Sequence, residues 1–273
     1  MAYFSLKNGE QLYYEDTGRG NKTIILLHGW ISTHKVFARV VPVLSKAARC
    51  ITYDHRGHGN SRKASSEPVT MDMLAGDLNE LITGLDLHDV ALLGWSMGAG
   101  VILNYVSIYG CAALRQIVLC DMSPRQMNDT DWTLGLFRGK LTKEYAGKEA
   151  GKEFYELYKM FAVGAVPKLA RLPDFLLRII LHKKLAVCDE DAAISLALSM
   201  GEADYRPCME QIEVPVHYFY AVPGSLYSPD LADWYREHIH TPFHSKGFPN
   251  STHLLISEHP RQFAKAVLHA IED

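Results

Sequence analysis

The sequence predicts a doubly wound α/β domain with a mostly parallel sheet, on three observations. Short runs that are apolar on both faces recur along the chain, helix-length segments separate them, and one long stretch of helical pattern without a strand interrupts the alternation. The runs are "TIILLHG", "RCITYDHRG", "DVALLGWS", "LRQIVLCDM" and "VPVHYFYA", separated by "FARVVPVLSKAA", "TMDMLAGDLNELITGLD" and "GAGVILNYVSIYG". The opening "MAYFSLKNGEQLYYEDTG" alternates apolar and polar residues like a strand pair turning at "KNGE". Between about Ser123 and Met209, "LTKEYAGKEAGKEFYELYKMFAVG", "AVPKLARLPDFLLRIILHKKL" and "DEDAAISLALSM" read as successive helices, the first carrying an aromatic stripe of Phe154, Tyr158 and Phe161. The strand pattern resumes at "VPVHYFYA" and continues through a helix "PDLADWYREHI", a short strand near "PFHSKGF" and a closing helix "HPRQFAKAVLHAIED". The expected organisation is therefore a core of residues 1–122 and 210–273 with an all-helical cap, 123–209, inserted between two strands.

A chain of 273 residues with a formal net charge of −3 gives no reason to expect nucleic acid or an anionic membrane as partner. No apolar stretch reaches the 18 or so residues of a membrane helix, and the N-terminus lacks a basic segment followed by a long apolar one, so a soluble, cytoplasmic protein is expected. The five cysteines are odd in number and show no CxxC or zinc spacing, the pattern of buried free thiols in a reducing compartment. His238 and His240 form an HxH pair without a carboxylate or third ligand in register, and no metal is expected there.

"GWSMGAG" places a serine between two glycines where a strand hands over to a helix. A residue on so sharp a turn is forced to positive φ, which crowds the positions two before and two after it; Gly94 and Gly98 relieve the crowding. The turn lifts Ser96 Oγ above the sheet and leaves the Met97 amide at a helix N-terminus, suited to an oxyanion. A second donor is expected from the loop after an earlier strand, where "LLHGW" offers the Trp30 amide. Serine needs a base. Of thirteen histidines, His253 in "PNSTHLLISEHP" alone follows the final strand, lies in a loop and precedes the last helix. His28 reads as a structural hydrogen-bonder, and Asp54, Arg56 and Ser61 in "YDHRGHGNS" as loop architecture.

With "LLHGW", "YDHRGHGNS", "GWSMGAG" and "STHLLISEHPRQF" in this order, the chain resembles the α/β-hydrolase superfamily, in its capped esterase, haloperoxidase and C–C hydrolase branch. The resemblance implies an eight-stranded, mostly parallel sheet covered on both faces, with Ser96 as nucleophile, His253 as base and the Trp30 and Met97 amides as oxyanion hole. One departure stands out. Such proteins usually carry the triad acid in a "GxxD" turn after the strand that follows the cap, but "YFYAVPGSLYSPD" has Gly224 there. Asp121, at the end of the preceding strand, and Asp230, at a helix start, are the two substitutes, and Asp121 is favoured because a helix N-terminus already accounts for Asp230.

The expected activity is hydrolysis of a small carboxylic ester, lactone or thioester through an acyl-enzyme, with no cofactor, by a monomer or homodimer whose partner is its small-molecule substrate. Cap residues Trp132, Phe137 and Phe161, with Phe154, Phe175 and Leu176, are expected to contribute to an apolar substrate pocket. C–C bond hydrolysis, perhydrolysis and slow-turnover ligand reception on the same scaffold are the alternatives.

Overall fold

The computed structural model of the chain describes residues 2–62, 67–149, 151–224 and 226–272; Met1, Ala150, Ser225 and Asp273, which belong to segments assigned above, lie outside them. Eight strands, β1 (Ala2–Ser5), β2 (Gln11–Asp16), β3 (Thr23–Leu27), β4 (Arg49–Tyr53), β5 (Val90–Trp95), β6 (Leu114–Cys120), β7 (Val216–Val222) and β8 (Phe243–Pro249), form one sheet in the order β1-β2-β4-β3-β5-β6-β7-β8. The pairs β1–β2 and β2–β4 are antiparallel and all others parallel. The period of two along each central strand explains why these strands read as continuous apolar runs. Ile25, Leu27 and Leu92 point into one core with α2 (Met71–Gly84) and α3 (Met97–Tyr109). Ile24, Leu26 and Leu93 point into the other, beneath α1 (Val41–Leu44) and the closing helix α10 (Pro260–Glu272).

Four helices, α4 (Lys143–Glu149), α5 (Phe154–Ala165), α6 (Asp174–Leu185) and α7 (Glu190–Glu202), lie between β6 and β7. They are followed by α8 (Leu231–His238) and a single turn, α9 (Leu255–Glu258). Their own apolar cluster joins Tyr158, Ala162, Leu177 and Leu181 to Ile31 of the core.

Several elements are shorter than expected. "FARVVPVLSKAA" gives only α1, because Pro42 has no amide to continue a helix from the preceding 3₁₀ turn His34–Phe37. The first inserted segment splits into α4 and α5 around Gly151, which has φ 84°. The second is broken by Pro167 and Pro173, which open a 3₁₀ turn and α6 respectively. Residues 123–142 contain no helix. All five cysteines are buried and free, and burial pushes Cys50, Cys188 and Cys208 up to about 12.

The loop after β4, "DHRGHGNS", is built from buried polar contacts. Arg56 grips Asp77 of α2 through two bonds of 3.0 and 2.6 Å and reaches Glu10 at 2.6 Å, tying the β1–β2 hairpin to α2. Ser61 Oγ accepts the Tyr13 amide at 2.9 Å. Asp54 accepts the His34 ring and amide, both at 2.7 Å, and the Asn60 amide at 2.9 Å. Burial raises its carboxyl, but these donors outweigh burial and hold it below the usual range.

Three histidines complete this layer. His28 Nδ1–H donates to Gly29 O at 2.8 Å while its Nε2 accepts the His55 amide at 3.0 Å. His55 Nε2 donates to His28 O at 3.1 Å, and His58 Nε2 accepts the Ile31 amide at 3.2 Å. Each accepting nitrogen requires a neutral ring. Burial accordingly lowers His28 well below the ordinary range, His55 to about 3 and His58 to about 4.

Two outcomes follow. Arg56→Gln strands the Asp77 carboxylate, whose pKa burial already raises, and is expected to lower the unfolding free energy by about 3–5 kcal/mol in urea titrations, part of which Asp77→Asn restores. The histidine layer sets an acid limit. Unfolded histidines protonate near pH 6.5 and these three do so only far lower, so their contribution to stability is full above pH 6.5 and is lost as pH falls toward 4. Denaturation midpoints should drop steeply between pH 6.5 and 5, with a limiting slope of about 4 kcal/mol per pH unit; a flat profile there contradicts the neutral assignment.

Candidate active site

The site assembles where β3, β5 and β6 end on one edge of the sheet. Ser96 follows β5 with φ 54° and ψ −124°, and α3 begins at the next residue. A Cβ at Gly94 would collide with the backbone of Gly98, and one at Gly98 with the Leu27 carbonyl and, at 2.8 Å, with His28 O. The two glycines therefore do what the steric argument requires: they let the first turn of α3 close against β5 and β3. Ser96 stays tied to the sheet through its amide, which donates to Cys120 O at 2.9 Å. Met97, first residue of α3, carries an amide with no intrahelical acceptor, and Trp30 lies in the loop after β3, the strand beside β5.

His253 stands in the loop between β8 and α9. Its Nε2 is 2.8 Å from Ser96 Oγ and its Nδ1 is 2.7 Å from Asp121 Oδ2. A carboxylate only accepts, so Nδ1 carries the proton and Nε2 is left to accept from the serine hydroxyl. Asp121 directly follows β6 with φ 49°; its amide donates to Phe219 O at 2.8 Å, and its Oδ1 accepts the Ala221 amide at 3.3 Å. The three residues are 6%, 2% and 2% exposed for Ser96, His253 and Asp121, so water scarcely screens the chain of hydrogen bonds. Trp95 fixes the histidine from below, its indole donating to His253 O at 2.9 Å with the rings 5.4 Å apart. The His253 amide donates to Ala165 O of α5 at 3.3 Å, which links the inserted helices to this loop.

Asp230 lies elsewhere. It is exposed at the start of α8, where its carboxylate accepts from Ser228 Oγ at 2.8 Å and makes no helix cap. At the vacant turn, Gly224 has φ 117°, and a Cβ there would fall 3.0 Å from the Arg138 guanidinium.

Ser96 and His253 face a cavity of about 390 Å³ between the strand ends and the inserted helices. Tyr158, Phe161, Ala162 and Ala165 of α5 and Ile180 and Leu181 of α6 form its apolar wall. Phe161 sits edge-on to His253, with ring centroids 6.2 Å apart. Trp30 lines the cavity too: its indole donates to Ala193 O of α7 at 2.9 Å and packs edge-on against Phe154, Tyr158 and Phe161.

Other aromatic expectations need correction. Trp132 is buried against Trp234, 5.0 Å away, with its indole bonded to Arg125 O, so it braces the segment after β6 and does not line the cavity. Phe137 packs against Gly164 and Tyr145, behind α5. Phe175 and Leu176 are 64% and 40% exposed on the outer face of α6. Sequence reasoning missed Tyr158 as a wall residue, although Tyr158, Phe161, Ala162 and Ala165 fall at i, i+3, i+4 and i+7, a single helical face. His238 stacks on Trp234 at 4.1 Å and bonds its backbone oxygen. Among the described residues no group of three His, Cys, Asp or Glu side chains is placed to hold a metal ion, and no helix is long and apolar enough to cross a membrane.

A family model described as "alpha/beta hydrolase fold" matches residues 22–150. The non-heme chloroperoxidase CPO-A1 of Kitasatospora aureofaciens is 34% identical over 48% of this chain and 47% of its own length, so the chain spans about half of that relative. The pimeloyl-[acyl-carrier protein] methyl ester esterase of Sodalis glossinidius is 27% identical over 94% of this chain and 96% of its own. Among solved structures, the esterase EaEST of Exiguobacterium antarcticum superposes with a TM-score of 0.84 at 22% identity, over 99% of both chains, a likeness of fold. The strand order, the family model over residues 22–150 and these likenesses agree: the chain has the α/β-hydrolase fold.

Proposed function

We propose that the protein is a serine hydrolase that cleaves small carboxylic esters or related acyl compounds through an acyl-enzyme. The observation that carries this reading is the buried chain Ser96 Oγ, His253, Asp121, with links of 2.8 and 2.7 Å, at the floor of an apolar cavity. Ser96 Oγ attacks the acyl carbon while His253 Nε2 takes its proton; Asp121 holds the ring in the Nδ1–H tautomer and stabilises the imidazolium. The Trp30 and Met97 amides receive the developing oxyanion, an interaction that preorganised donors make worth several kcal/mol. The protonated His253 then releases the alcohol, and a water activated by the same nitrogen frees the acid. In this reading residues 123–209 act as a cap over a core of 1–122 and 210–273, and the wall of α5 and α6 selects the acyl or alcohol group.

The relative named as a methyl ester esterase, matched along nearly its whole length, supports ester hydrolysis. The match to a chloroperoxidase supports a second outcome of the same site. If hydrogen peroxide replaces water at the acyl-enzyme, the products are a peracid and free Ser96, and the peracid can oxidise halide. Halide oxidation that needs both peroxide and a carboxylic acid, and that is lost in Ser96→Ala, identifies this route.

The primary test is hydrolysis of p-nitrophenyl esters from acetate to laurate. Ser96→Ala should lower kcat by a factor on the order of 10⁶; residual activity near the wild-type level contradicts the nucleophile. The acid is separated by a pair of variants. Asp121→Asn should lower kcat by up to about 10⁴, whereas Asp230→Asn should remain within about twofold of wild type, since that carboxylate is exposed and, among the described residues, bonds Ser228 alone. The reverse pattern overturns the assignment.

A further inference from the structure

We infer that the substrate of this site is an amphiphilic ester, with an apolar chain that ends in an anionic group remote from the scissile bond. The inference rests on the hydrolase reading above and specifies its substrate class. Apart from His253, the side chains lining the cavity that can carry a charge near neutral pH are Lys35 and Lys184 among the described residues, and no carboxylate lines it there. The two lysines come from different walls. Lys35 belongs to the 3₁₀ turn after β3, next to Thr33, whose hydroxyl accepts its amide at 3.4 Å. Lys184 follows Ile180 and Leu181 by four and three residues on α6, so the helical period carries it onto the cavity face.

Both lysines are exposed, whereas Ser96 and His253 are buried. Their ammonium groups therefore belong to the solvent side of the cavity and the reacting atoms to its floor. Neither lysine pairs with a carboxylate among the described residues, although the chain as a whole is acidic, at −3. Two unpaired cations at the mouth of an apolar cavity raise the local concentration of anions and supply charge-assisted donors to carboxylate or phosphate oxygens. The apolar wall between floor and mouth accepts methylene groups but offers an anion no partner. A ligand that satisfies both zones has its ester at one end, an alkyl segment in the middle and its charge at the other end.

The test compares methyl esters of equal chain length that end in methyl, carboxylate or phosphonate, with acid release followed by pH-stat titration. Both anionic esters should show kcat/KM about tenfold above the neutral ester, mainly through KM, and the advantage should shrink between 20 and 500 mM salt. In Lys35→Ala/Lys184→Ala the ratio of anionic to neutral ester should fall toward one, and Lys184→Glu should push it below one. A preference for carboxylate alone or phosphonate alone identifies the natural end group. Equal kcat/KM on all three esters, or a preference untouched by the lysine substitutions, overturns the inference. If no ester turns over, the hydrolase reading fails by itself, and calorimetric binding of the same three esters to Ser96→Ala still decides the inference: tighter, lysine-dependent binding of the anionic esters supports it, and equal or absent binding overturns it.

Discussion

The backbone at Ser96 is the constraint on which the rest of the site depends. A serine at φ 54° is held against its own preference, at a local cost of order 1–3 kcal/mol, and persists because three strand ends leave no other path. Gly94 admits the backbone of Gly98, Gly98 admits the carbonyls of Leu27 and His28, and Gly29 lies so close that a Cβ there would stand 3.0 Å from Ser96 Cβ. The close packing of β3, β5 and the first turn of α3 thus fixes the Ser96 hydroxyl, the Met97 amide and the Trp30 loop by one steric arrangement. The histidine layer of His28, His55 and His58 buttresses the same loop from below through backbone bonds.

The electrostatics of the site follow from that geometry. Asp121 also has positive φ, at 49°, which turns its carboxylate across the end of β7 toward His253 instead of along β6. A carboxylate 2% exposed is tolerable only when paired, and here the His253 ring and the Ala221 amide serve it. The bond to the Asp121 carboxylate keeps the histidine in one tautomer, and the low-dielectric surroundings strengthen each bond of the chain. The inserted helices share in this arrangement, because α5 bonds the His253 amide through Ala165 O and Trp30 anchors to α7 through Ala193 O.

The strands were legible because a sheet covered on both faces needs apolar residues at every position, as in "IILL" and "VALL". The turn at Ser96 was legible because its glycines answer a steric demand, and His253 because it alone lies in the loop between the last strand and the helices that follow it. Asp121 was the favoured acid because Gly224 occupies the usual turn, and Asp121 Oδ2 stands 2.7 Å from His253 Nδ1. The inserted region was less legible. Its apolar content exceeds what the cavity uses, so Trp132 and Phe137, which brace the region from behind, could not be told from Phe161 by residue type. Lys35 and Lys184 looked like ordinary solvated charges, since sequence does not say which charges stand at a cavity mouth.

The most direct measurement of the central claim is covalent labelling with an alkyl fluorophosphonate, followed by intact mass and peptide mapping. Ser96 Oγ, activated by His253, should displace fluoride and gain one phosphonyl group, on the peptide that contains "GWSMGAG" and nowhere else, in step with loss of ester turnover. Labelling at another residue, or full turnover by a protein that carries the adduct at Ser96, would contradict the account.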